Sequence, residues 1–353
     1  MVRVLIVGTG GMANAHADAY TDMDGVQIVA GVDTNADNLA AFNAKYSIPH
    51  GFQSVEDAIV WGEFDAVSNV TPDGVHHRTT LPLLAAGKHV LCEKPLAANA
   101  ADAAEMTAAA KAVGVVNMVN LTYRNVAAVM KAADMVASGA IGKVRHFEAS
   151  YLQSWLTQSA WGDWRTEDQW LWRMSTAHGS LGVLGDVGVH ILDFATHVAG
   201  ADVDSLSCRL TTFDKPEGDR VGGYTLDANE SFNMHLSLQD GAVGVVHASR
   251  MASGHINDLR LRIFGSRGGI DARFEKGKSE LFACLEPDLE TCTWQTIDAP
   301  DVQTNYARFI DAVRNKTQVL PDFARGATLQ SALDLAVVSD GDQQRSQQIT
   351  AKT

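Results

Sequence analysis

The stretch Val2–Ala13, with the sequence VRVLIVGTGGMA, decides the fold of this chain. Val2–Val7 is an apolar run interrupted only by Arg3, which is the pattern of a buried parallel β-strand. A glycine-rich turn follows at once, and a helix is predicted from about Met12 to Tyr20. A strand, a glycine turn and a helix in this order predict the beginning of an α/β domain.

Strands and helices continue to alternate through the first third of the chain. The predicted strands are Val26–Val32, Asp65–Val70, His89–Cys92 and Val115–Val119, and the predicted helices include Val75–Ala86 and Ala100–Val113. Gly87 and Gly114 directly follow these two helices, and glycine is common at the position where a helix ends. The alternation predicts a doubly wound parallel sheet with helices on both faces, which is the Rossmann arrangement.

The rhythm changes after about Tyr123. A helix at Val126–Ala137 leads into longer segments, several with alternating apolar and polar residues, and helices are predicted again near the end. The later predictions are strands at Val144–Leu152, Ser205–Thr212, Glu230–Leu238, Ala242–Ser249 and Leu259–Phe264 and helices at Tyr306–Arg314 and Thr328–Ser339. We therefore predict a Rossmann domain over 1–123 and a C-terminal α/β domain over 124–353 with a large, open, mostly antiparallel sheet. The pattern leaves open whether the C-terminal helices pack back on the first domain.

Composition narrows the possible partners. Lys and Arg total 28 against 42 Asp and Glu, a formal net charge of −14, which repels nucleic acids and anionic membranes. The sequence contains neither an apolar run of membrane-spanning length nor a signal-peptide pattern. The spacing of the four Cys predicts no zinc module. We expect a cytoplasmic homodimer or homotetramer that binds a small molecule, with no nucleic acid or membrane partner.

The glycine turn carries a nucleotide-binding signal. Gly8–Ala13 fits the pattern G-x-G-x-x-A between a strand and a helix. Gly8 permits the tight turn, and Gly10 lets the backbone approach a pyrophosphate. Gly11 and Met12 lead into the helix, whose first N–H groups favour phosphate. A glycine turn that merely connects strand and helix is the alternative interpretation.

The residue after the second strand bears on the choice of dinucleotide. Asp33 lies 20 residues after Ala13, and a carboxylate at this position can accept hydrogen bonds from both ribose hydroxyls of an adenosine. The same carboxylate repels a 2′-phosphate, and no basic residue follows before Lys45. The sequence therefore predicts NAD rather than NADP. A role for Asp33 only at the entry of the next helix is the alternative.

A second group of candidate residues follows two other predicted strands. Glu93, Lys94 and Pro95 come after the strand His89–Cys92, and the TPDG segment with Thr71 and Pro72 follows the strand before it. Ligands of open α/β sheets bind beyond the carboxyl ends of the strands. We therefore expect Lys94 to reach a substrate oxygen and the TPDG segment to border the cofactor. Pro95 restricts the local backbone, and a cis Lys94–Pro95 peptide bond is one way in which it can do so.

A third group lies on one predicted helix face. Asp186, His190, Asp193 and His197 are separated by four, three and four residues. His190 is the best general base, because the pKa of His lies near working pH, and Asp186 can orient it or help to move the proton. Asp193 and His197 favour structural roles. A metal site built from Asp186, His190 and Glu93 is an alternative that we do not adopt, because no second pair of ligands has suitable spacing.

Aromatic residues are concentrated in one segment. Five of the seven Trp fall within residues 155–172, with Arg165 and Arg173 close by. Trp faces pack against sugar rings and Arg donates to hydroxyls, so Trp164 and Trp172 are candidate substrate contacts together with these two Arg. Trp is equally typical of cores and subunit interfaces, which is the alternative interpretation.

Four segments in order, GTGGMA, TPDGVHH, AGKHVLCEKPLA and GSLGVLGDVGVHILD, resemble one known family over nearly the whole chain. This is the glucose–fructose oxidoreductase, inositol 2-dehydrogenase and rhizopine-catabolism (Gfo/Idh/MocA) family. The resemblance implies an N-terminal Rossmann domain and a C-terminal α/β domain whose open sheet often forms an oligomer interface. The segment 155–172 has no counterpart in the shared pattern.

The resemblance also implies roles for individual residues. It implies that Lys94, Asp186 and His190 are catalytic, that His76 and Glu93 lie near the nicotinamide, and that Asn120 and Arg124 lie near the domain junction. The candidate cofactor-binding residues are Gly8, Gly10, Gly11, Met12, Asp33, Thr71, Pro72, His76, Glu93 and Lys94. The candidate substrate-binding residues are Lys94, Arg124, Trp164, Arg165, Trp172, Arg173, Asp186 and His190.

These residues predict an NAD-dependent oxidation of a secondary hydroxyl on a sugar, a sugar derivative or an inositol. His190 would remove the proton, Lys94 would stabilise the alkoxide and Asp186 would orient the base. Two alternatives stay open. One is a sensor that binds NAD and a sugar without catalysis, although the intact Lys94, Asp186 and His190 set argues against it. The other is a glycoside-cleaving enzyme that uses NAD transiently, which the Trp-rich segment would suit.

Overall fold

The structure, a computed structural model, describes residues 1–215 and 218–349. The chain divides into two units. The first consists of Met1–Leu121 and Gln303–Gln330, and the second of Thr122–Val302 and the residues from Ser331 onwards.

The first unit is built on a six-stranded, fully parallel sheet with the strand order β3-β2-β1-β4-β5-β6. Its strands are β1 Val2–Val7, β2 Val26–Val32, β3 His50–Phe52, β4 Ala66–Asn69, β5 His89–Cys92 and β6 Asn117–Val119. Its helices are α1 Ala13–Thr21, α2 Ala36–Tyr46, α3 Val55–Trp61, α4 His76–Ala85 and α5 Ala100–Val113, with a 3-10 turn at Asp73–Val75. This strand order is that of a Rossmann sheet, and it confirms the predicted fold.

Local signals explain where these helices begin and end. The side chain of Asn35 accepts hydrogen bonds from two backbone N–H groups at the start of α2. Ser54 caps α3 in the same way through Asp57 N. Gly114 ends α5 in the left-handed region at φ +74°. Side-chain caps satisfy N–H groups that the helix itself leaves without partners, so these residues fix the helix ends.

The second unit contains a nine-stranded sheet. Its strand order is β16-β15-β14-β13-β7-β12-β11-β8-β17, and every pair is antiparallel except β7 with β12. The strands are β7 Val144–Leu152, β8 Val203–Thr211, β11 Ser231–Leu238, β12 Val243–Ser249, β13 Asp258–Gly265, β14 Gly268–Glu275, β15 Lys278–Leu285, β16 Gln295–Thr296 and β17 Gln347–Gln348, beside a small hairpin of β9 Arg220–Val221 and β10 Tyr224–Thr225. The mostly antiparallel sheet was predicted.

The helices of the second unit include two that pack on this sheet. They are α6 Ala127–Ala137, α7 Asp168–Leu171 and α8 Val189–Ala199, with 3-10 turns at Thr122–Asn125, Trp172–Met174 and Thr176–His178 and a π-helical turn at Leu184–Gly188. Helix α8 packs on β7, β12 and β13, and α6 packs on β14 and β15. Residues of β11 are alternately buried and more exposed, as a sheet with one covered face requires.

Two further helices lie near the end of the chain, α9 Asn305–Asn315 and α10 Phe323–Gly341. Tyr306, Phe309 and Ile310 of α9 belong to the same buried cluster as Val4 and Ile6 of β1. Helix α9 therefore completes the core of the first unit, although it lies far from β1 in the sequence. Among the described residues, none of the helices combines the length and the apolar character needed to cross a membrane.

Candidate functional site

The glycine turn after β1 has the shape that a dinucleotide needs. Gly8 lies at φ +86°, and a Cβ there would stand 2.8 Å from the Val70 carbonyl oxygen, so only glycine fits. Gly10 and Gly11 face open space, with no atom within 4 Å of where a Cβ would stand. A phosphate can therefore approach the backbone of these two glycines closely. Met12, the residue before α1, is about half exposed.

Asp33 follows β2 and is tied to the same turn. Its Oδ2 accepts hydrogen bonds from the backbone N–H and the hydroxyl of Thr9, both at 2.8 Å, and its Oδ1 accepts one from Asn35 N at 2.8 Å. Each carboxylate oxygen has two acceptor positions, so capacity is left on Oδ1 for a ribose hydroxyl. The carboxylate is held beside the glycine turn, as a dinucleotide site requires.

The residues after β4 are held by a buried histidine. His76 is fully buried, and each ring nitrogen faces a backbone carbonyl: Nδ1 lies 2.9 Å from Pro95 O and Nε2 lies 2.7 Å from Thr71 O. Two acceptors require two donors, which favours the doubly protonated ring. Burial opposes this charge, but Cys92, Asp73 and the Pro95 carbonyl raise the pKa of His76 to about 10. His76 thus joins the segment after β4 to the segment after β5.

The segment after β5 is anchored by Glu93. Its Oε1 accepts a hydrogen bond from Asn120 Nδ2 at 2.6 Å and lies 2.9 Å from His16 Nε2, and its Oε2 accepts from Lys94 N at 3.3 Å. Burial opposes ionisation of Glu93, but these neighbours lower its pKa to about 2. The Lys94–Pro95 peptide bond is cis, and the Lys94 side chain is less buried than Glu93. His16 was not recognised from the sequence.

The candidate residues of the first unit therefore meet at one edge of its sheet. The glycine turn follows β1, Asp33 follows β2, Thr71 and Pro72 follow β4, and Glu93 and Lys94 follow β5. Parallel strands in this order place all four segments at their carboxyl ends. The structure brings together every cofactor-binding candidate of this unit, and their contact with a cofactor stays a prediction.

In the second unit, Asp186 and His190 do not lie on one regular helix as predicted. Asp186 falls in the π-helical turn Leu184–Gly188, and the α-helix begins only at Val189. The wider turn breaks the 3.6-residue period on which the prediction of a shared face rested. His190 is buried, and its ring forms a T-shaped contact with Tyr123, with ring centroids 4.9 Å apart at 90°. Burial raises the pKa of Tyr123 to about 12, so this hydroxyl is neutral at ordinary pH.

Asp186 is paired with two arginines of the same unit. Arg250 donates to its Oδ2 at 2.9 Å, and Arg173 Nε lies 3.7 Å from the same oxygen. Arg173 was a candidate from the Trp-rich segment. Arg250 follows β12 and was missed, because no motif or spacing links it to Asp186, which precedes it by 64 residues.

Arg124 holds a structural ion pair. Its Nε and Nη2 donate to the two oxygens of Asp193 at 2.6 and 2.8 Å, and both side chains are almost fully buried. Asp193, predicted to be structural, thus joins α8 to the turn Thr122–Asn125. The predicted contact of Arg124 with substrate stays a prediction, and two of its donors are already engaged.

The Trp-rich segment forms mainly a small core. Trp155, Trp164, Leu171 and Met174 belong to one buried cluster, and Trp164 is only 3% exposed. Arg165 is exposed, with its guanidinium carbon 4.8 Å from the Trp164 ring. The packing interpretation therefore accounts for Trp164 better than a substrate contact does, since little of its ring is left to meet a ligand.

Trp172 and Arg173 lie at the border of this cluster. Both are partly exposed, and the Arg173 guanidinium carbon lies 4.7 Å from the Trp172 ring. The contact with Asp186 gives Arg173 a place beside a predicted catalytic residue. Of the four candidates from the Trp-rich segment, these two keep the most support.

A different group has metal-ligand geometry. Among the described residues, His255, Asp258 and Glu275 bring their ligating atoms within 4.8 Å of one another. His255 Nδ1 lies 2.6 Å from Asp258, however, and Glu275 pairs with Lys276 at 3.1 Å. Each of the three side chains is thus already engaged by a neighbour, and we assign no role to this group.

Two families of sequences match the chain. Residues 2–121 match the oxidoreductase family with an NAD-binding Rossmann fold, and residues 129–271 match the GFO/IDH/MocA C-terminal domain. The two matches fall on the two units in the order that the sequence resemblance implies.

Named relatives cover most of the chain. A levoglucosan dehydrogenase of Pseudarthrobacter phenanthrenivorans is 26% identical over 311 residues, which are 81% of this chain and 77% of the relative. A scyllo-inositol 2-dehydrogenase (NADP(+)) of Bacillus subtilis is 27% identical over 289 residues, which are 81% of this chain and 84% of the relative.

Solved structures show the same fold. Levoglucosan dehydrogenase in complex with NADH matches with a TM-score of 0.87 at 23% identity over 99% of both chains. An oxidoreductase domain protein from Kribbella flavida matches with a TM-score of 0.85 at 27% identity, over 99% of this chain and 100% of that one.

Proposed function

The chain belongs to the Gfo/Idh/MocA oxidoreductase family, and on this premise we propose that it oxidises a secondary hydroxyl of a sugar, a sugar derivative or an inositol with NAD as the oxidant. The observation that carries the proposal is the gathering of the glycine turn, Asp33, the TPDG segment and Lys94 at the carboxyl edge of one parallel sheet. Relatives named for levoglucosan, scyllo-inositol and myo-inositol support the substrate class, because all three compounds carry ring hydroxyls.

The residues of the first unit fit a dinucleotide. The backbone at Gly10 and Gly11 is open to phosphate, and Gly8 occupies a position that a side chain would block. Asp33 would bind the adenosine ribose, and its charge disfavours a 2′-phosphate, so we propose NAD although one relative is named for NADP(+). Thr71, Pro72, His76 and Glu93 would border the nicotinamide.

Two side chains would act on the substrate hydroxyl, and a third would orient the base. NAD, when bound, takes up the hydride from the carbon that carries this hydroxyl. His190 would accept the hydroxyl proton on a ring nitrogen, and Lys94 Nζ would donate a hydrogen bond to the oxygen as negative charge develops there. Asp186, held by its arginines, would orient the base. A sensor has no need of this set, which favours an enzyme.

The experiment that tests the proposal is a screen for NADH formation with inositols, aldoses, sugar acids and anhydrosugars, monitored at the NADH absorbance. Lys94→Ala and His190→Ala should bind NAD nearly normally in calorimetry and turn over poorly, with Lys94→Ala losing roughly 10²–10³ in kcat. Lys111→Ala, an exposed lysine at the end of α5, is the matched control and should keep full activity.

Three outcomes would contradict the proposal. Full turnover by both variants would remove Lys94 and His190 from the reaction. Release of an aglycone from a glycoside without net NADH would instead identify the glycoside-cleaving alternative, and sugar-dependent binding of a partner protein without any turnover would identify a sensor.

A further inference from the structure

Arg250 is a guanidinium with no access to solvent. Its residue exposure is 0%, and charged side chains are almost never buried so completely unless they are paired. It donates to Asp186 Oδ2 at 2.9 Å, to the Arg173 carbonyl at 3.1 Å and to the Gly182 carbonyl at 3.4 Å. Asp186 is the anion among these three acceptors, so the pair with Asp186 compensates the buried charge of Arg250.

The Trp-rich segment forms the surroundings of this pair. The Arg250 guanidinium carbon lies 5.0 Å from the Trp155 ring, and Trp155 packs against Trp170 with centroids 5.2 Å apart. The Arg173 guanidinium carbon lies 5.7 Å from Trp170 and 4.7 Å from Trp172. Cations are attracted to the faces of aromatic rings, so these rings hold both guanidiniums next to one carboxylate.

A chain of hydrogen bonds fixes the ring beneath Arg250. Trp155 Nε1 donates to Gln153 Oε1 at 3.2 Å, and Gln153 Nε2 donates to Asn257 Oδ1 at 2.8 Å. The Tyr151 hydroxyl also donates to Asn257 Oδ1 at 2.8 Å and is hydrogen-bonded to Tyr123, the residue that meets His190. The supports of Asp186 and of His190 therefore belong to one connected network.

We propose that Arg250, fixed by the Trp-rich segment, is a positioning residue that keeps Asp186 as a permanent carboxylate. Asp186 then orients its neighbours and does not carry the proton of the reaction. The inference rests on the proposed function for its catalytic meaning, but the charge state of Asp186 can be tested without any substrate. The proposal gives the Trp-rich segment an electrostatic role instead of the sugar-stacking role that its composition predicted.

The groups that face Asp186 all favour its ionised form or are neutral. Arg250 and Arg173 are the cations. Tyr123 and Tyr151 also face the carboxylate, and burial raises the pKa of both, so they stay neutral. His190, four residues further along the chain, is the fifth titratable group, and it adds no negative charge whether it is protonated or neutral. An arginine in contact with a carboxyl group lowers the pKa of that group by about one to three units.

A further carboxylate, Glu230, also acts on Arg250. Burial and the neighbouring Arg173 lower the pKa of Arg250, and Asp186 and Glu230 oppose this effect. Glu230 is itself buried and paired with Lys215, so its charge is already compensated. A guanidinium keeps its proton at every pH at which the protein is folded. Arg250 is therefore a fixed charge and Asp186 is the group to observe.

The test is a carboxyl titration by ¹³C NMR on the full chain labelled at Asp Cγ, without NAD or substrate. The Asp186 signal is assigned by its loss in Asp186→Asn. In the unsubstituted protein we expect this signal to stay at the ionised position from pH 4.5 to pH 9. A titration midpoint of Asp186 inside that range overturns the proposal by itself, even if no Arg250 variant folds.

Variants then assign the effect to Arg250. With the titration extended below pH 4.5 to reach the midpoint of the unsubstituted protein, Arg250→Met should raise the midpoint of Asp186 by at least about one pH unit, and Arg250→Lys should restore most of the difference. Arg260→Ala, which removes an Arg–Asp pair of similar bond lengths on β13 and β14, is the matched control and should leave Asp186 unchanged. An Asp186 midpoint that is the same in Arg250→Met and the unsubstituted protein would overturn the proposal.

The two proposals fail separately. If no sugar or inositol reduces NAD, the proposed function is wrong, and the Asp186 titration still decides the role of Arg250. If Asp186 titrates near neutral pH, the dehydrogenase proposal stands, with Asp186 as a proton carrier.

Discussion

The buried pair of Arg124 and Asp193 allows a sharp prediction about stability. Arg124 donates to both carboxylate oxygens at 2.6 and 2.8 Å, and the side chains are 6% and 4% exposed. Replacing Asp193 by Asn keeps the volume of the side chain but leaves the guanidinium buried without its counter-charge. Breaking such a pair costs about 3–5 kcal/mol, so Asp193→Asn should lower the free energy of unfolding by that amount.

Urea unfolding followed by Trp fluorescence measures this change. Six of the seven Trp lie in the second unit, which also contains the pair, so the signal reports on the affected part of the chain. Arg260→Ala is the control. Arg260 also makes two bonds to its partner Asp271, at 3.0 and 2.7 Å, but its side chain is 37% exposed. Solvent screens the charge of Arg260, and Arg273 still pairs with the buried Asp271 when Arg260 is removed, so the expected cost is below about 1 kcal/mol.

A double replacement separates a structural role of Arg124 from the predicted substrate contact. Arg124→Met with Asp193→Leu leaves no uncompensated charge, so it should regain most of the stability that Asp193→Asn loses. If Arg124 also binds substrate, the stable double variant should still show a raised KM. The reasoning is refuted if Asp193→Asn costs no more than Arg260→Ala.

Two further predictions concern the first unit. Asp33→Ala should lower the affinity for NAD about tenfold, because hydrogen bonds to the ribose are lost, and should reduce the ratio of the affinity for NAD to that for NADP. Calorimetry with both dinucleotides measures this ratio. An unchanged ratio would mean that Asp33 does not contact the dinucleotide. His76 has a pKa raised from 6.5 to about 10, so its contribution to stability is complete below pH 6.5 and is lost as pH rises towards 10, by at most about 1.4 kcal/mol per pH unit. Urea unfolding at pH values from 6 to 10 should show this loss of stability in the unsubstituted protein and not in His76→Gln. If the free energy of unfolding changes equally with pH in both proteins, the prediction is wrong.

Sequence patterns predicted the first unit well because its signals are local. Val26–Val32 begins and ends where the apolar run predicts, and Asn35, Ser54 and Gly114 mark helix ends through bonds or angles within a few residues. The strand His50–Phe52 escaped prediction because three residues carry no periodicity and because, within the described residues, it pairs with β2 alone.

The second unit was predicted less completely because its strands contain charged residues. β14 and β15 form an antiparallel hairpin, but β14 carries Asp271 and Arg273, which interrupt its apolar pattern. Asp271 is buried there because Arg260 from β13 and Arg273 both bind its carboxylate. A strand whose buried charge is compensated by a neighbouring strand cannot be recognised from its own sequence.

The same reasoning explains why Asp186 was identified and Arg250 was not. Asp186 lies in the segment GSLGVLGDVGVHILD, whose residues resemble a known family, so it was identified even though the π-helical turn breaks the regular helical period there. Arg250 directly follows the strand β12 of mainly apolar and small residues, and its side chain is fully buried. A fully buried charge has to be compensated by another element, and the carboxylate that compensates it, Asp186, lies 64 residues earlier in the chain. No local pattern links positions so far apart, so the pair becomes visible only when the fold brings the end of β12 beside the π-helical turn.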